Sequence, residues 1–249
     1  MGILCRKSVY NSIAMILIAI IAFLLGIGTL SAQEQHRPID SLSIEYLNTA
    51  SGYATLYYGI EYEGYTYARN HPYMTKAPCS KALLSYRDVL YPEVCLRLDL
   101  WKDELCVLSP DSRYYVLFSE DVEYAEFLDK HIIYHKKDTF PNSPSTGYYF
   151  LLYDGDCKVL EKKYATLIQK DKVVRTEWTV LDFDIKTRYY LFKDGEFHLI
   201  KNKNALIKTL YPYKKELKHF ISSRRLSFKK NASEMLIQTT GEYEKLKIY

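Results

Sequence analysis

The sequence lacks the short motifs that identify several common classes of enzyme. It contains no G-x-S-x-G elbow, no P-loop and no C-x-x-C pair, so nothing in it supports an α/β-hydrolase, a P-loop nucleotide-binding protein or a thiol oxidoreductase. His131 and His135 have the spacing of a zinc-binding helix, but the adjacent Glu of that motif is missing and the residues between them favour a strand. We therefore predict no cofactor and no metal site, and we assign no catalytic residue.

Charge is also missing over the stretch from Ile13 to Leu30. This apolar run follows the basic pair Arg6-Lys7 and precedes small residues that end at Ala32. The pattern predicts a secretory signal peptide over residues 1–32, with cleavage near Ala32 and a periplasmic or secreted product. An apolar run of about 18 residues can also span a bilayer, so the alternative is an uncleaved anchor, with membrane contact only through this segment. Cys5 precedes the run, which argues against a lipoprotein anchor.

Cysteine is scarce, and four cysteines follow the predicted cleavage site, at positions 79, 95, 106 and 157. An oxidising compartment permits two disulfides with three alternative pairings, whereas buried free thiols are our expectation for all four. A hairpin that pairs Leu100 with Leu105 and Leu98 with Val107 puts its apolar residues on one face. In that register Cys95 and Cys106, which lie on the two strands of this hairpin, are more than about 10 Å apart. This distance argues against a disulfide between them.

Alternating apolar residues and regular turn signals predict a mainly β (α+β) protein. We expect a leader over residues 33–52, then an antiparallel meander sheet or partly closed barrel over 53–200, and a basic C-terminal helical segment over 201–249. Asp154-Gly155 and Asp194-Gly195 are the strongest signals for type I′ hairpin turns. The predicted strands are 54–62, 65–68, 83–86, 94–100, 105–108, 114–118, 122–127, 132–135, 148–153, 157–168, 176–183, 187–192 and 196–200.

Helical spacing of apolar residues begins after Asn202. Pro212 suits the first turn of a second helix, and Asn231 or Ser233 is the expected N-cap of a third. This segment is also the most basic part of the chain, because Lys201 to Lys230 contains ten Lys and Arg residues and one acid, Glu216. It either binds an external anion, docks on the acidic body of the protein, or forms a solvated helix face. The candidate anion-binding residues are Lys214, Lys215, Lys218, Arg224 and Arg225.

Tyrosine is the one residue type in excess, with 25 Tyr against 10 Phe and 2 Trp. A tyrosine ring has a flat apolar face and a polar tip, which suits stacking on a ligand or a protein partner. Tyr57, Tyr65 and Tyr67 are the candidate binding surface. The structural alternative is cross-strand packing within a β protein.

Several segments resemble small exported β-rich proteins of Bacteroidetes-type bacteria, for which no activity is established. The resemblance rests on residues 56–62, 71–73 and 86–108, and on the ending from 214–217 to 226–230. It implies export and a β-then-helix order, and it assigns no functional residue.

These observations support a non-enzymatic exported module for binding or envelope assembly, with an envelope protein or a glycan as its partner. Export argues against nucleic acid as a partner of the basic segment. The alternative is an extracytoplasmic glycan hydrolase, because that chemistry needs two carboxylates that are close in space and that sequence alone does not identify.

Overall fold

The computed structural model describes residues 53–168 and 181–248. Within them the chain forms one eleven-stranded antiparallel sheet followed by three helices, which confirms the predicted mainly β fold with a helical C-terminal appendage. The sheet is not closed, so the open sheet rather than the partly closed barrel is the architecture observed. The predicted signal peptide over 1–32, the leader over 33–52 and most of the predicted strand at 176–183 lie outside the described residues.

The eleven strands are joined mostly by short hairpins. They are β1 (Ile60–Glu61), β2 (Ser80–Tyr86), β3 (Val89–Asp99), β4 (Glu104–Leu108), β5 (Tyr114–Val116), β6 (Val122–Phe127), β7 (Lys130–His135), β8 (Gly147–Asp154), β9 (Lys158–Leu167), β10 (Phe183–Lys193) and β11 (Glu196–Ile200). The helices are α1 (Lys203–Thr209), α2 (Lys214–Ser223) and α3 (Ala232–Ile248). Two short 3₁₀ turns occupy Thr55–Tyr57 and Ser119–Asp121.

Two meanders share the sheet, whose strand order is β1-β5-β4-β3-β2-β6-β7-β8-β9-β10-β11. The first meander runs from β2 to β5, and the second runs from β6 to β11. They meet where β2 pairs with β6. Strand β1 pairs with β5 and forms one edge of the sheet, while β11 forms the other.

The main core lies on one face of strands β2 to β8, where alternate side chains point inwards. In β3, Val94, Leu96 and Leu98 are buried, as the alternation predicts. Closer to the start of the strand the buried residue is Tyr91, which breaks this parity. A β-bulge explains the change: Glu93 has a φ of 58°, and the pairing with β2 shifts by one residue there.

A second core joins the helices to the other end of the sheet. Leu206, Leu217 and Leu236 come one from each helix, and they pack in one cluster with Val159 and Leu191 of the sheet. Asn202 caps α1, because its side-chain oxygen accepts a hydrogen bond from the Ala205 amide at 2.9 Å.

The third helix begins as predicted. Asn231 is its N-cap and accepts a hydrogen bond from the Glu234 amide at 3.1 Å. Pro212 precedes α2 by two residues instead of lying in its first turn, and its peptide bond with Tyr211 is cis. Across residues 53–168 and 181–248, no helix combines the length and the apolar character needed to cross a bilayer.

Four local predictions need correction. The predicted strand 65–68 is not a strand, because within it Ala68 alone pairs, in an isolated bridge with Leu181. The predicted strand 54–62 is a 3₁₀ turn followed by the two-residue strand β1, because only its end pairs with β5. Asp154-Gly155 is not a type I′ turn, since Asp154 pairs with Lys158 across a three-residue loop. The β3–β4 hairpin pairs Leu98 with Leu105, so the predicted register is wrong by two residues.

Candidate functional site

A buried carboxylate organises one end of the sheet. Asp99 is the last residue of β3 and has no solvent exposure. One of its carboxylate oxygens accepts hydrogen bonds from the hydroxyls of Tyr62 and Tyr65, both at 2.6 Å. The other accepts from the backbone amides of Trp101 and Lys102 at 2.7 Å and 3.0 Å. Four donors therefore compensate the burial of this charge.

Backbone pairing brings the chain before β2 to this carboxylate. The Met74 amide donates to the Leu98 carbonyl at 3.0 Å, and the Leu100 amide donates to the Pro72 carbonyl at 2.8 Å. Tyr73 thereby lies opposite Asp99 as an isolated bridge. Lys102 holds the segment between β1 and β2 in place, because its ammonium donates a hydrogen bond to the Glu63 carbonyl at 3.0 Å. The segment from Tyr62 to Met74 is thus fixed against the end of β3.

A surface cleft of about 660 Å³ lies beside this network. Two of its aromatic walls are Tyr65 and Tyr73, whose ring centroids are 6.1 Å apart. His71 stacks on Tyr73 at 5.4 Å with an interplanar angle of 11°. The residues that line the cleft are Glu63, Gly64, Tyr65, Thr66, His71, Tyr73, Lys76, Ala77, Pro78 and Arg97.

Arg97 supplies the fixed cation of the cleft. Its guanidinium lies 4.4 Å from the Tyr73 ring centroid and 3.7 Å from that of Tyr114. Its Nε donates to the Pro78 carbonyl at 2.6 Å, and an Nη atom donates to the Tyr114 hydroxyl. Among the ion pairs of the described residues, none involves Arg97. An Arg side chain has five N–H donors, so three remain for a ligand.

A disulfide fixes the part of the cleft that includes Pro78. Cys79 and Cys95 are bonded, with their Cα atoms 5.4 Å apart. The bond ties Pro78 and the start of β2 to β3, two residues before Arg97. The expectation of free thiols is therefore wrong for these two residues.

The remaining cysteines are buried free thiols, as expected. Burial raises the pKa of Cys157 to about 11, and it raises the pKa of Cys106 still further. Both side chains are therefore protonated thiols near neutral pH and are poor nucleophiles.

Burial also keeps the tyrosines around Asp99 protonated. It is the largest cause of a raised pKa for both Tyr62 and Tyr65, and the hydrogen bonds to Asp99 act in the same direction. Both phenols therefore remain neutral donors to the carboxylate across the physiological pH range.

The charged side chains that line the cleft are Glu63, Lys76 and Arg97. Glu63 is the one carboxylate among the residues that line it. Asp99 is not a second carboxylate of the cleft, because it is buried beside it and both of its oxygens accept hydrogen bonds within the network. Hydrolysis of a glycosidic bond uses two carboxyl groups on opposite sides of that bond. Across the described residues, no group of three or more His, Cys, Asp or Glu side chains has an arrangement that suits a metal ion.

A second buried carboxylate is part of the scaffold. Glu161 is buried in β9 and forms ion pairs with Lys130 at 2.9 Å and with Lys163 at 3.4 Å. The Tyr189 hydroxyl approaches it at 3.5 Å. Since its charge is compensated within the sheet, we interpret it as structural.

The three tyrosines predicted as a binding surface have different surroundings. Tyr65 lines the cleft. Tyr57 is half-buried and packs against Tyr115, with ring centroids 5.9 Å apart. Tyr67 is 50% exposed and does not line the cleft. The predicted anion-binding residues, Lys214, Lys215, Lys218, Arg224 and Arg225, are all exposed on α2 and just after it.

Sequence reasoning did not identify four residues of this site: His71, Tyr73, Arg97 and Asp99. Asp99 gave no distinct signal, because it occupies a polar position in the alternation between Leu98 and Leu100. Tyr73 and Arg97 gave no local signal, because their proximity depends on pairing between residues 72–74 and the end of β3.

Comparison of the chain with protein-family models, with curated proteins and with solved structures found no match in any of the three.

Proposed function

We propose that this protein is an exported, non-enzymatic binding module that holds a saccharide in the cleft between Tyr65, Tyr73 and Arg97. The observation that carries the proposal is a cleft lined by the rings of Tyr65, His71 and Tyr73 together with a guanidinium that has no carboxylate partner among the described residues. Aromatic faces stack on apolar ring faces, while a fixed guanidinium donates to ligand oxygens. A sugar ring offers both surfaces.

The dimensions of the cleft support this proposal. Ligand sites usually enclose about 300–1,000 Å³ and place a few polar groups among apolar walls, and this cleft has about 660 Å³. Its walls are also held in place before a ligand arrives. The Asp99 network fixes Tyr65, and the disulfide fixes the segment that carries Pro78. Little conformational entropy is then lost on binding.

The hydrolase alternative has less support from the geometry. A retaining glycosidase needs two carboxyl groups about 5–5.5 Å apart, and an inverting one needs them about 6.5–9.5 Å apart. Glu63 is the single carboxylate of the cleft lining, so the observed residues favour binding without bond cleavage.

An array of neutral and uronic-acid-containing oligosaccharides tests the proposal. We expect the wild-type chain to bind a subset of them, and we expect His71→Ala to weaken that binding by removing a ring that lines the cleft and supports Tyr73 by stacking on it. Arg97→Lys should weaken it by about 10–100-fold, because Lys keeps the charge but loses the planar set of donors.

His131→Ala is the matched control for His71→Ala. His131 also stacks on a tyrosine, with its ring centroid 5.1 Å from that of Tyr124 and an interplanar angle of 18°, but it does not line the cleft. Its substitution should leave binding unchanged. Equal effects of the two substitutions, or no bound saccharide for the wild-type chain, would contradict the proposal.

A further inference from the structure

The helical appendage carries a set of exposed cations that the cleft does not explain. All ten Lys and Arg side chains from Lys201 to Lys230 are exposed. None of them belongs to an ion pair among the described residues. We call these ten side chains the basic surface.

Lys and Arg residues in the rest of the described chain are more often paired with acids. Most of the Lys and Arg residues before Lys201 form ion pairs, such as Arg87 with Asp121 and Lys162 with Asp103. The basic surface therefore does not reflect a general shortage of acids. It is a concentration of uncompensated positive charge on one segment, with the acid Glu216 as its one internal counter-charge.

Helix geometry puts part of the basic surface on one side of α2. At 100° per residue, Lys214, Lys215 and Lys218 fall within an arc of about 100°. Leu217 and Ile221 point into the core instead and are buried. At 100° per residue the buried pair is centred about 90° from the middle of this arc. The three lysines thus project together from one flank of α2, while Leu217 and Ile221 hold the helix in the second core.

An exposed aromatic ring lies directly beside these lysines. Tyr211 precedes α2 and is 65% exposed, and the Lys214 ammonium lies 5.5 Å from its ring centroid. Tyrosine is enriched at membrane–water interfaces, where its ring enters the headgroup region while its hydroxyl remains hydrated. Lysines next to an interfacial ring are typical of proteins that bind anionic lipid surfaces.

We propose that the basic surface docks the folded protein on an anionic phospholipid bilayer, with the lysines of α2 on the headgroups and Tyr211 at the interface. Charge complementarity carries the choice of partner, and Tyr211 favours a lipid surface over a soluble polyanion. This docking is independent of the saccharide cleft, because none of the residues that line the cleft belongs to the segment 201–230.

Vesicle flotation of the full chain tests the proposal. The measured quantity is the ratio of the partition coefficient on vesicles of equal parts phosphatidylglycerol and phosphatidylcholine to that on phosphatidylcholine alone. Any insertion of residues 13–30 is common to both lipids and cancels in this ratio. Each lysine near an anionic surface contributes about fivefold, so the triple variant K214Q/K215Q/K218Q should lower the ratio on the order of 100-fold.

A second triple variant matches the change in charge. K136Q/K137Q/K186Q, which we call the sheet triple variant, also removes three exposed lysines, two just after β7 and one in β10. We expect it to keep the wild-type ratio. Tyr211→Ala should lower the partition coefficient on the phosphatidylglycerol-containing vesicles several-fold, whereas Tyr58→Ala should not, although Tyr58 is 80% exposed. The wild-type ratio should itself fall as salt shortens the Debye length below about 10 Å.

Three results would overturn the proposal. The first is a ratio for the α2 triple variant equal to that of the sheet triple variant. The second is a wild-type ratio that does not change with salt. The third is binding to dissolved alginate that depends on the α2 lysines, together with a Tyr211→Ala variant that partitions as the wild type does, since that combination identifies a polyanion site instead of a lipid surface.

Discussion

Removal of the Asp99 carboxylate should destabilise the whole end of the sheet on which the cleft is built. The side chain is fully buried and accepts four hydrogen bonds, from Tyr62, Tyr65, Trp101 and Lys102. A hydrogen bond to a charged group contributes about 1.5–3 kcal/mol. The full sum is not lost, because Trp101 is 45% exposed and Tyr65 lines the cleft, so their donors can reach water. The Tyr62 hydroxyl is more enclosed, and its alternative acceptor is the Tyr73 hydroxyl at the longer distance of 3.4 Å.

From this we expect two different losses of unfolding free energy. Asp99→Leu removes every acceptor and should cost about 4 kcal/mol. Asp99→Asn keeps one oxygen, which can accept from the two backbone amides. The two tyrosine hydroxyls then face the NH₂ group of Asn, which is a donor and cannot accept their hydrogen bonds. This substitution should cost about 2 kcal/mol.

Urea denaturation followed by circular dichroism measures both values. Asp154→Asn is the control, because Asp154 is exposed and its ion pair with Lys158 lies on the surface, where such a pair is worth about 0–1 kcal/mol. If Asp99→Leu costs no more than Asp154→Asn does, the carboxylate is not what holds this end of the sheet together.

Three further perturbations test other parts of the structure. The pKa of Tyr62 and of Tyr65 is raised in the folded protein, so the unfolded chain loses these protons first, near pH 10. The stability that the two tyrosines contribute is therefore complete below about pH 10 and falls as pH rises above it. Urea midpoints measured across that range should decline less steeply for Tyr62→Phe than for the wild type. Glu244 of α3 accepts hydrogen bonds from the Tyr153 hydroxyl and the Cys157 amide, each 2.7 Å long. Glu244→Gln should weaken both bonds and lower the free energy of unfolding by about 1–3 kcal/mol. Hydrogen exchange at the β8–β9 turn should then be faster. Gly195→Ala should cost about 1 kcal/mol through its φ of 79° alone, since a Cβ there meets no atom within 4 Å; a larger change in the thermal unfolding midpoint than this cost implies would mean that the turn has an additional role.

Local patterns predicted most of the strands, and β2 and the later part of β3 bury alternate residues as such patterns require. Strand β6 has the predicted bounds, 122–127, and β11 has the predicted bounds, 196–200. The Asp194-Gly195 turn was also predicted correctly, with φ values of 51° and 79° that fit type I′. In these places the structure depends on residues that are close in the sequence, so the sequence predicts it.

Two other hairpin turns were missed because they lack glycine. Arg87-Asp88 has φ values of 54° and 59°, and Leu128-Asp129 has values of 54° and 56°. Each pair links two strands directly, as Phe127 pairs with Lys130. Here the strand pairing imposes a left-handed conformation that these residues rarely adopt on their own.

The register of the β3–β4 hairpin was wrong because one side chain decides it. The prediction used a turn over residues 101–104, whereas the observed turn occupies 100–103. Asp99 accepts hydrogen bonds from the amides of Trp101 and Lys102 and so closes the turn one residue earlier, which shifts the pairing of the two strands by two residues. The same long-range network builds the cleft, which explains why sequence reasoning found Tyr65 but neither Tyr73 nor Arg97.

Selective labelling of tyrosine rings offers the most direct test of the cleft as a saccharide site. Ring resonances of Tyr65 and Tyr73 should shift when an oligosaccharide that binds on the array is added, because both rings line the cleft. Those of Tyr124, which stacks on the control histidine, should not shift. Shifts confined to tyrosines outside the cleft would contradict the account, as would unchanged Tyr65 and Tyr73 resonances at a saturating concentration of the saccharide.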